Sequence, residues 1–194
     1  MTEQDTRQKL LSAAKSEFLE NGYKGASLRR ICANAGVTTG ALYFFFDGKE
    51  DLFGAIIEKP MAEFQKLTAE SIEMELKNPR AYAVTEDAII RFLLTYRDEC
   101  ILVLDKAEGT KYAAFRENWE KRLENTFGVF FEKYLKRPAD PAIVHLIASM
   151  RMHGYMKLLQ GKYTEEHSRK LVNEMAVYAD AGFSALIKEL YKET

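Results

Sequence analysis

Ser27-Leu28-Arg29-Arg30-Ile31-Cys32-Ala33-Asn34-Ala35-Gly36-Val37-Thr38-Thr39-Gly40-Ala41-Leu42-Tyr43-Phe44-Phe45-Phe46 is the stretch that decides the fold. Ser27 is a favoured N-cap type, and Leu28, Ile31, Cys32 and Ala35 follow it at helical spacing, so a short helix starts here. Ala35-Gly36-Val37 breaks that helix after about two turns. Thr38 or Thr39 then caps a second short helix, Gly40 to Phe46. Two short helices around a glycine-centred turn have the size and punctuation of a helix-turn-helix. On spacing alone, an ordinary corner between two helices fits equally well.

Outward from this stretch the pattern stays helical. Between Arg7 and Asn21, the residues Leu10, Leu11, Ala14, Phe18 and Leu19 form one helix face, closed by Asn21-Gly22. After the stretch, Leu42 to Phe46 is rich in strand-formers, and Asp47-Gly48 is a strong hairpin signal. A hairpin needs a second alternating strand. Lys49 to Ile57 instead sets apolar pairs four apart behind an acidic first turn, which is a helix. Further helices are expected over 49–77, bent or broken around Pro60, and over 80–104, 110–118, 118–136, 140–161 and 164–192. The joints are Lys77-Asn78-Pro79, Glu108-Gly109-Thr110, Arg137-Pro138-Ala139-Asp140-Pro141 and Gln160-Gly161-Lys162. The expected fold is all-α: an N-terminal three-helix helix-turn-helix domain over 1–50 and a larger C-terminal helical domain over 51–194. The helical pattern runs through the boundary, so no flexible linker is expected.

Composition agrees with a packed helical protein. Of the 194 residues 47% are hydrophobic and 29% charged, close to the globular average. No apolar run approaches the roughly 18 to 20 residues of a membrane span. Lys15, Glu17 and Glu20 interrupt the N-terminal stretch, so no signal peptide is expected and a cytoplasmic protein is. Cys32 and Cys100 both lie in apolar helical patterns and read as reduced packing residues, not a disulfide or zinc site. The net charge of −1 argues against coating nucleic acid through bulk positive charge, but leaves room for a local basic patch.

The wider string is more specific than the spacing. It comprises Phe18-Leu19-Glu20-Asn21-Gly22-Tyr23, Ser27-Leu28-Arg29-Arg30-Ile31-Cys32, Ala35-Gly36-Val37-Thr38-Thr39-Gly40-Ala41-Leu42-Tyr43 and Phe46-Asp47-Gly48-Lys49-Glu50-Asp51-Leu52-Phe53. Over residues 7 to 53 it resembles the N-terminal signature of the TetR family of transcriptional regulators; beyond that, the likeness is one of architecture. The resemblance implies DNA contacts at Thr38, Thr39, Gly40, Tyr43, Phe44 and Lys49. The residue chemistry is compatible. The Ser27 hydroxyl and nearby amides suit a phosphate. Thr38, Thr39 and Gly40 let the backbone approach DNA, and Tyr43 offers a hydroxyl one turn on. Lys49, Arg29 and Arg30 supply local positive charge. One departure stands out: the family usually has His or Tyr where this chain has Phe45, which cannot donate to a phosphate. Ala41 offers only an apolar contact, for instance to a thymine methyl. Few residues here can read bases, so affinity is expected to lean on phosphates and DNA shape.

The resemblance also implies that the larger domain binds a small hydrophobic effector and dimerises. Candidate pocket residues are Phe64, Phe92, Tyr96, Cys100, Tyr112, Phe115, Trp119, Phe127, Met150 and His153, which combine apolar bodies with a few polar handles. An aromatic or Met stripe at helical spacing equally reads as plain core. Candidate dimer residues are Ile147, Gly154, Leu158, Val177, Ala181 and Ser184, on the last two helices; burial inside one chain is the alternative. His145, His153 and His167 lack the Glu-x-x-His pairs of a di-metal bundle, so neither metal nor cofactor is expected. The expected function is ligand-responsive transcriptional regulation: a homodimeric repressor on a pseudo-palindromic double-stranded DNA operator, released by its effector. A ligand carrier retaining an idle helix-turn-helix, and an enzyme, are the competing readings. No Ser/His/Asp arrangement or Gly-rich phosphate loop supports the enzyme.

Overall fold

The computed structural model describes residues 2–78 and 82–192. Among these residues there are nine helices and no strand: α1 Glu3–Gly25, α2 Leu28–Ala35, α3 Thr39–Phe45, α4 Lys49–Lys77, α5 Tyr82–Thr95, α6 Arg97–Asp105, α7 Phe115–Leu135, α8 Pro141–Gln160 and α9 Glu165–Lys192. The expected joint at Pro79, and the expected helix start at 80, lie outside the described residues. No helix among the described residues is long and apolar enough to cross a membrane.

The local signals explain the first four helices. Thr2 and Asp5 form a reciprocal capping box, Thr2 N donating to Asp5 Oδ2 at 3.0 Å and Asp5 N to Thr2 Oγ1 at 3.2 Å. That box starts α1 four residues before the expected Arg7. Gly22 leaves helical geometry at φ 66°, as expected of a closing glycine, but the chain makes one further turn to Gly25. Gly36 ends α2 at φ 67°, with Val37 N donating to Cys32 O at 3.0 Å across the cap. The Asp47-Gly48 pair joins α3 to α4 rather than two strands, and Asp51 Oδ2 accepts from Asp47 N at 3.0 Å.

Two expectations fail downstream. The helix expected over 80–104 is divided at Tyr96 into α5 and α6. No Gly or Pro marks the break. Contacts distant in sequence surround it: Tyr96 donates to Glu63 Oε2 at 2.9 Å, and Lys15 Nζ lies 3.2 Å from Glu99 and 3.6 Å from Asp98. The helix expected over 110–118 is a run of turns, with Gly109 at φ 90° and Thr110 N and Ala113 N bonded three residues back. Regular helix resumes only at Phe115.

By packing, the described residues form two compact units that do not follow chain order. The first holds the chain up to Glu63 together with Tyr96–Arg116; the second holds Phe64–Thr95 and Glu117 onward. The division differs from one drawn after residue 50, because the first half of α4, α6 and the turns after it pack with α1–α3. Leu10, Phe18, Ile31, Leu42, Leu52, Phe53, Ile57 and Leu102 are fully covered in the first unit. Phe18 and Phe53 meet edge-on at 5.1 Å. In the second unit Trp119 stacks on Tyr155 at 5.6 Å and meets Phe64 edge-on at 4.8 Å. Beside them a buried Glu86 accepts from Arg151 at 2.7 Å and from Tyr155 at 3.2 Å, so its charge is paired and hydrogen-bonded.

Candidate nucleic-acid interface

Helices α2 and α3 are each closed by their own cap. Ser27 Oγ accepts from Arg30 N at 3.5 Å, and Thr38 Oγ1 accepts from Ala41 N at 3.2 Å. Ile31, Cys32, Ala35 and Leu42 are the buried residues that seat the pair. Their polar neighbours are arranged less as the sequence suggests. Glu17, only 4% exposed, accepts from Ser27 N at 3.0 Å and from Arg30 Nε and Nη2 at 2.8 and 2.5 Å. The Arg30 guanidinium, with the Ser27 amide, holds the Glu17 carboxyl below its ordinary value despite burial. Arg30 also donates to Gly25 O at 2.8 Å. It fastens the start of α2 to α1.

Lys49 is committed in the same way. Its ammonium donates to Tyr23 O at 2.7 Å, Ala26 O at 3.1 Å and Lys24 O at 3.5 Å, and lies 4.5 Å from the Tyr23 ring centroid. An ammonium has three donors, and three carbonyls at the end of α1 accept them. Arg30 and Lys49, expected as cations for DNA phosphates, thus each bond groups of the head itself, although the Arg30 side chain stays 54% exposed. Glu17 was not among the sequence candidates, yet a signal existed: it falls beside Ala14 and Phe18, on the apolar face of α1, where a charge needs a partner.

The surface left facing outward comprises Arg29, Thr38, Thr39, Gly40, Tyr43 and Phe44, all exposed. Tyr43 is 56% exposed and Phe44 70%. Phe45, the departure from the family pattern, is half-buried, its ring edge-on to Phe44 at 4.9 Å and 6.5 Å from that of Phe46. Burial pushes the Cys32 thiol, behind this strip, above the ordinary thiol range. A shallow concavity of about 530 Å³ lies alongside, lined by Thr6, Cys32, Ala33, Gly36, Val37, Thr38 and Ala41.

The ten pocket candidates do not form one cluster. Tyr96, Cys100, Tyr112 and Phe115 belong to the first unit. There Tyr112 donates to Glu58 and packs 6.0 Å from Phe53, and burial pushes the Cys100 thiol up to about 12. Phe64, Phe92 and Trp119 gather in the second unit, and Phe127 lies 6.1 Å from Phe183. Met150 and His153 are exposed on α8, so within the chain they line no interior. Of the dimer candidates, Val177, Ala181 and Ser184 are exposed, and Ile147 is half-buried. Leu158 is buried in the chain's own core, and Gly154 is half-buried beside the Met175 methyl, which would stand 3.0 Å from a Cβ there. Among the described residues no three His, Cys, Asp or Glu side chains gather as a metal site.

Residues 10–56 match a family described as "Bacterial regulatory proteins, tetR family". The HTH-type transcriptional repressor BepR of Brucella suis biovar 1 (strain 1330) is 36% identical over 75 residues, 39% of this chain and 36% of that protein. The HTH-type transcriptional regulator UidR of Escherichia coli (strain K12) is 40% identical over 67 residues, 32% of this chain and 34% of that one. The match thus spans about a third of the length of these relatives, which carry regulator names rather than enzyme names. The whole fold is similar to a solved TetR-like transcriptional regulator from Rhodococcus sp. RHA1, with a TM-score of 0.63 at 19% identity over 91% of this chain and 96% of that one. Residues 10–56 are thus similar to the tetR family of bacterial regulatory proteins, and the all-helical fold around them is similar to that of solved TetR-like regulators.

Proposed function

We propose that this protein is a cytoplasmic transcriptional regulator, a repressor that binds a pseudo-palindromic DNA operator as a homodimer and is released by a small hydrophobic effector. The observation that carries the reading is the α2–α3 head: both helices are capped, Arg30 and Lys49 bond groups of the head, and an exposed strip of Thr38, Thr39, Gly40, Tyr43 and Phe44 is free to enter a major groove. The family match falls on these same residues. Arg29, exposed on α2, is the cation of the strip available to a phosphate, and the Tyr43 hydroxyl a second phosphate partner. Ser27, Arg30 and Lys49 act as the frame. In function we divide the chain into a DNA-binding domain over 1–50 and an effector-binding and dimerisation domain over 51–194.

Repression is supported by the relatives' names, several of which contain the word. Dimerisation is supported by α9, a 28-residue helix in which only Ser168 and Val172 are buried. Effector binding is supported by the aromatic group Phe64, Phe92 and Trp119 of the second unit. The test is a selection of duplexes from a random pool with the full-length protein, followed by affinity titrations with and without a panel of hydrophobic compounds. Enrichment of an inverted repeat with half-sites about one helical turn apart is expected. A compound that weakens operator binding must itself be bound more weakly, by the same factor, when operator is present. Binding with no sequence preference would overturn the regulator reading, and no response across the panel would overturn effector release.

A further inference from the structure

From Val37 to Phe46 the chain contains no Arg, Lys, Asn, Gln, Asp or Glu. Those are the side chains that hydrogen-bond base edges in the major groove: Arg or Lys to guanine, Asn or Gln to adenine, Asp or Glu to cytosine. The exposed threonines at the start of α3 offer only short hydroxyls in their place, and Thr38 Oγ1 already accepts from the Ala41 amide. Apart from the Thr38, Thr39 and Tyr43 hydroxyls, what α3 offers outward is hydrocarbon: the threonine methyls, the half-buried Ala41 and the Phe44 ring at 70% exposure. In a major groove one base feature is recognised by hydrocarbon contact, the 5-methyl group of thymine.

We infer that α3, centred on Phe44, reads its operator mainly through thymine 5-methyl groups, with the short hydroxyls of Thr38 and Thr39 secondary to them. This rests on the proposed DNA-binding reading and names the feature read at that site. Burying one methyl against an apolar surface corresponds to about a fourfold gain in affinity. Specificity is thus modest per base pair, and the half-site facing α3 is rich in thymine. Phe44 is a specificity-determining residue, and its exposure in the free protein makes it replaceable without disturbing the fold.

The test uses the duplex selected by the full-length protein. Each half-site thymine is replaced in turn by deoxyuridine, which removes only the methyl. At the most sensitive position the T·A pair is also replaced by C·G and by 5-methylcytosine·G. Deoxyuridine should weaken binding about fourfold at one or more positions in each half-site, and 5-methylcytosine should bind better than cytosine. Phe44→Ala, with an unchanged far-ultraviolet circular dichroism spectrum, should bind thymine and deoxyuridine duplexes equally. Equal binding of both duplexes by the unaltered protein would overturn methyl reading while leaving DNA binding in place. A thymine preference that survives in Phe44→Ala would overturn the role of Phe44. Failure to select any sequence would instead defeat the DNA-binding reading itself.

Discussion

Phe44 on α3 and Val177 on α9 are almost equally exposed, at 70% and 71%, yet they sit in opposite settings. Helix α3 has seven residues, caps at both ends, and a buried Leu42 that fixes it to the head. Its exposed aromatic ring stands on a small rigid mount whose charged neighbours Arg30 and Lys49 are turned to internal partners. Helix α9 is four times as long, and Val177, Tyr178, Ala181 and Ser184 lie exposed along it, with Leu146 and Met150 exposed on α8. Exposure alone therefore does not say what covers an apolar side chain. A single ring on a capped short helix suits a groove with isolated methyl groups. A long strip of mixed aliphatic and small residues suits another helix of its own kind.

The largest expected effect breaks the α9 half of this contrast. Val177→Glu combined with Ala181→Glu would bring like charges together across a two-fold seam, which costs several kcal/mol. Sedimentation should then fall from about twice the chain mass of 22.3 kDa to that mass itself. A double variant that still sediments as a dimer would move the interface elsewhere, and an unaltered protein that sediments as a monomer would remove it.

Next come the charges turned inward in the head. Glu17→Gln leaves Arg30 without its buried carboxylate and should lower stability by about 2 kcal/mol. The folded carboxyl is held below its ordinary value, near 4.5, by Arg30. Its contribution is therefore fully present above that value and lost as the pH falls through the lower folded one. Urea unfolding of both proteins across the acid range should give a difference that is constant at neutral pH and closes in acid. A difference that widened in acid would reverse the assigned sign.

Lys49→Met should cost about 1 to 2 kcal/mol of stability through its lost carbonyl bonds. The salt dependence of DNA binding should stay unchanged. A slope reduced by about one per subunit would return Lys49 to the phosphate backbone. The smallest effect sharpens the α3 half. Tyr43→Phe removes one exposed hydroxyl, so it should weaken DNA binding by about 1 kcal/mol per contact and leave thermal unfolding in place. A shift in unfolding with DNA affinity intact would make Tyr43 a packing residue.

What could be read from the sequence alone were features whose causes lie within a few residues. Ser27 and Thr38 cap their helices by bonding an amide three residues on, and Gly36 ends α2 because a left-handed turn favours glycine, so α2 and α3 were legible. The helical period identified the long helices for the same reason, and the motif string pointed to the family that residues 10–56 match. The internal bonds of Arg30 and Lys49 were not legible. Their partners, Glu17 and the Tyr23 carbonyl, stand 13 and 26 residues away, and only packing brings them within hydrogen-bond reach. The same holds for the break at Tyr96 and the return of α6 to the first unit, neither of which a local breaker announces; Gly109 announced a joint, but not that the turns run on to residue 114. A cap or a period is an interaction between neighbours in the chain, so sequence determines it. A charge's destination depends on which groups burial brings beside it, and that was decided only when the helices packed.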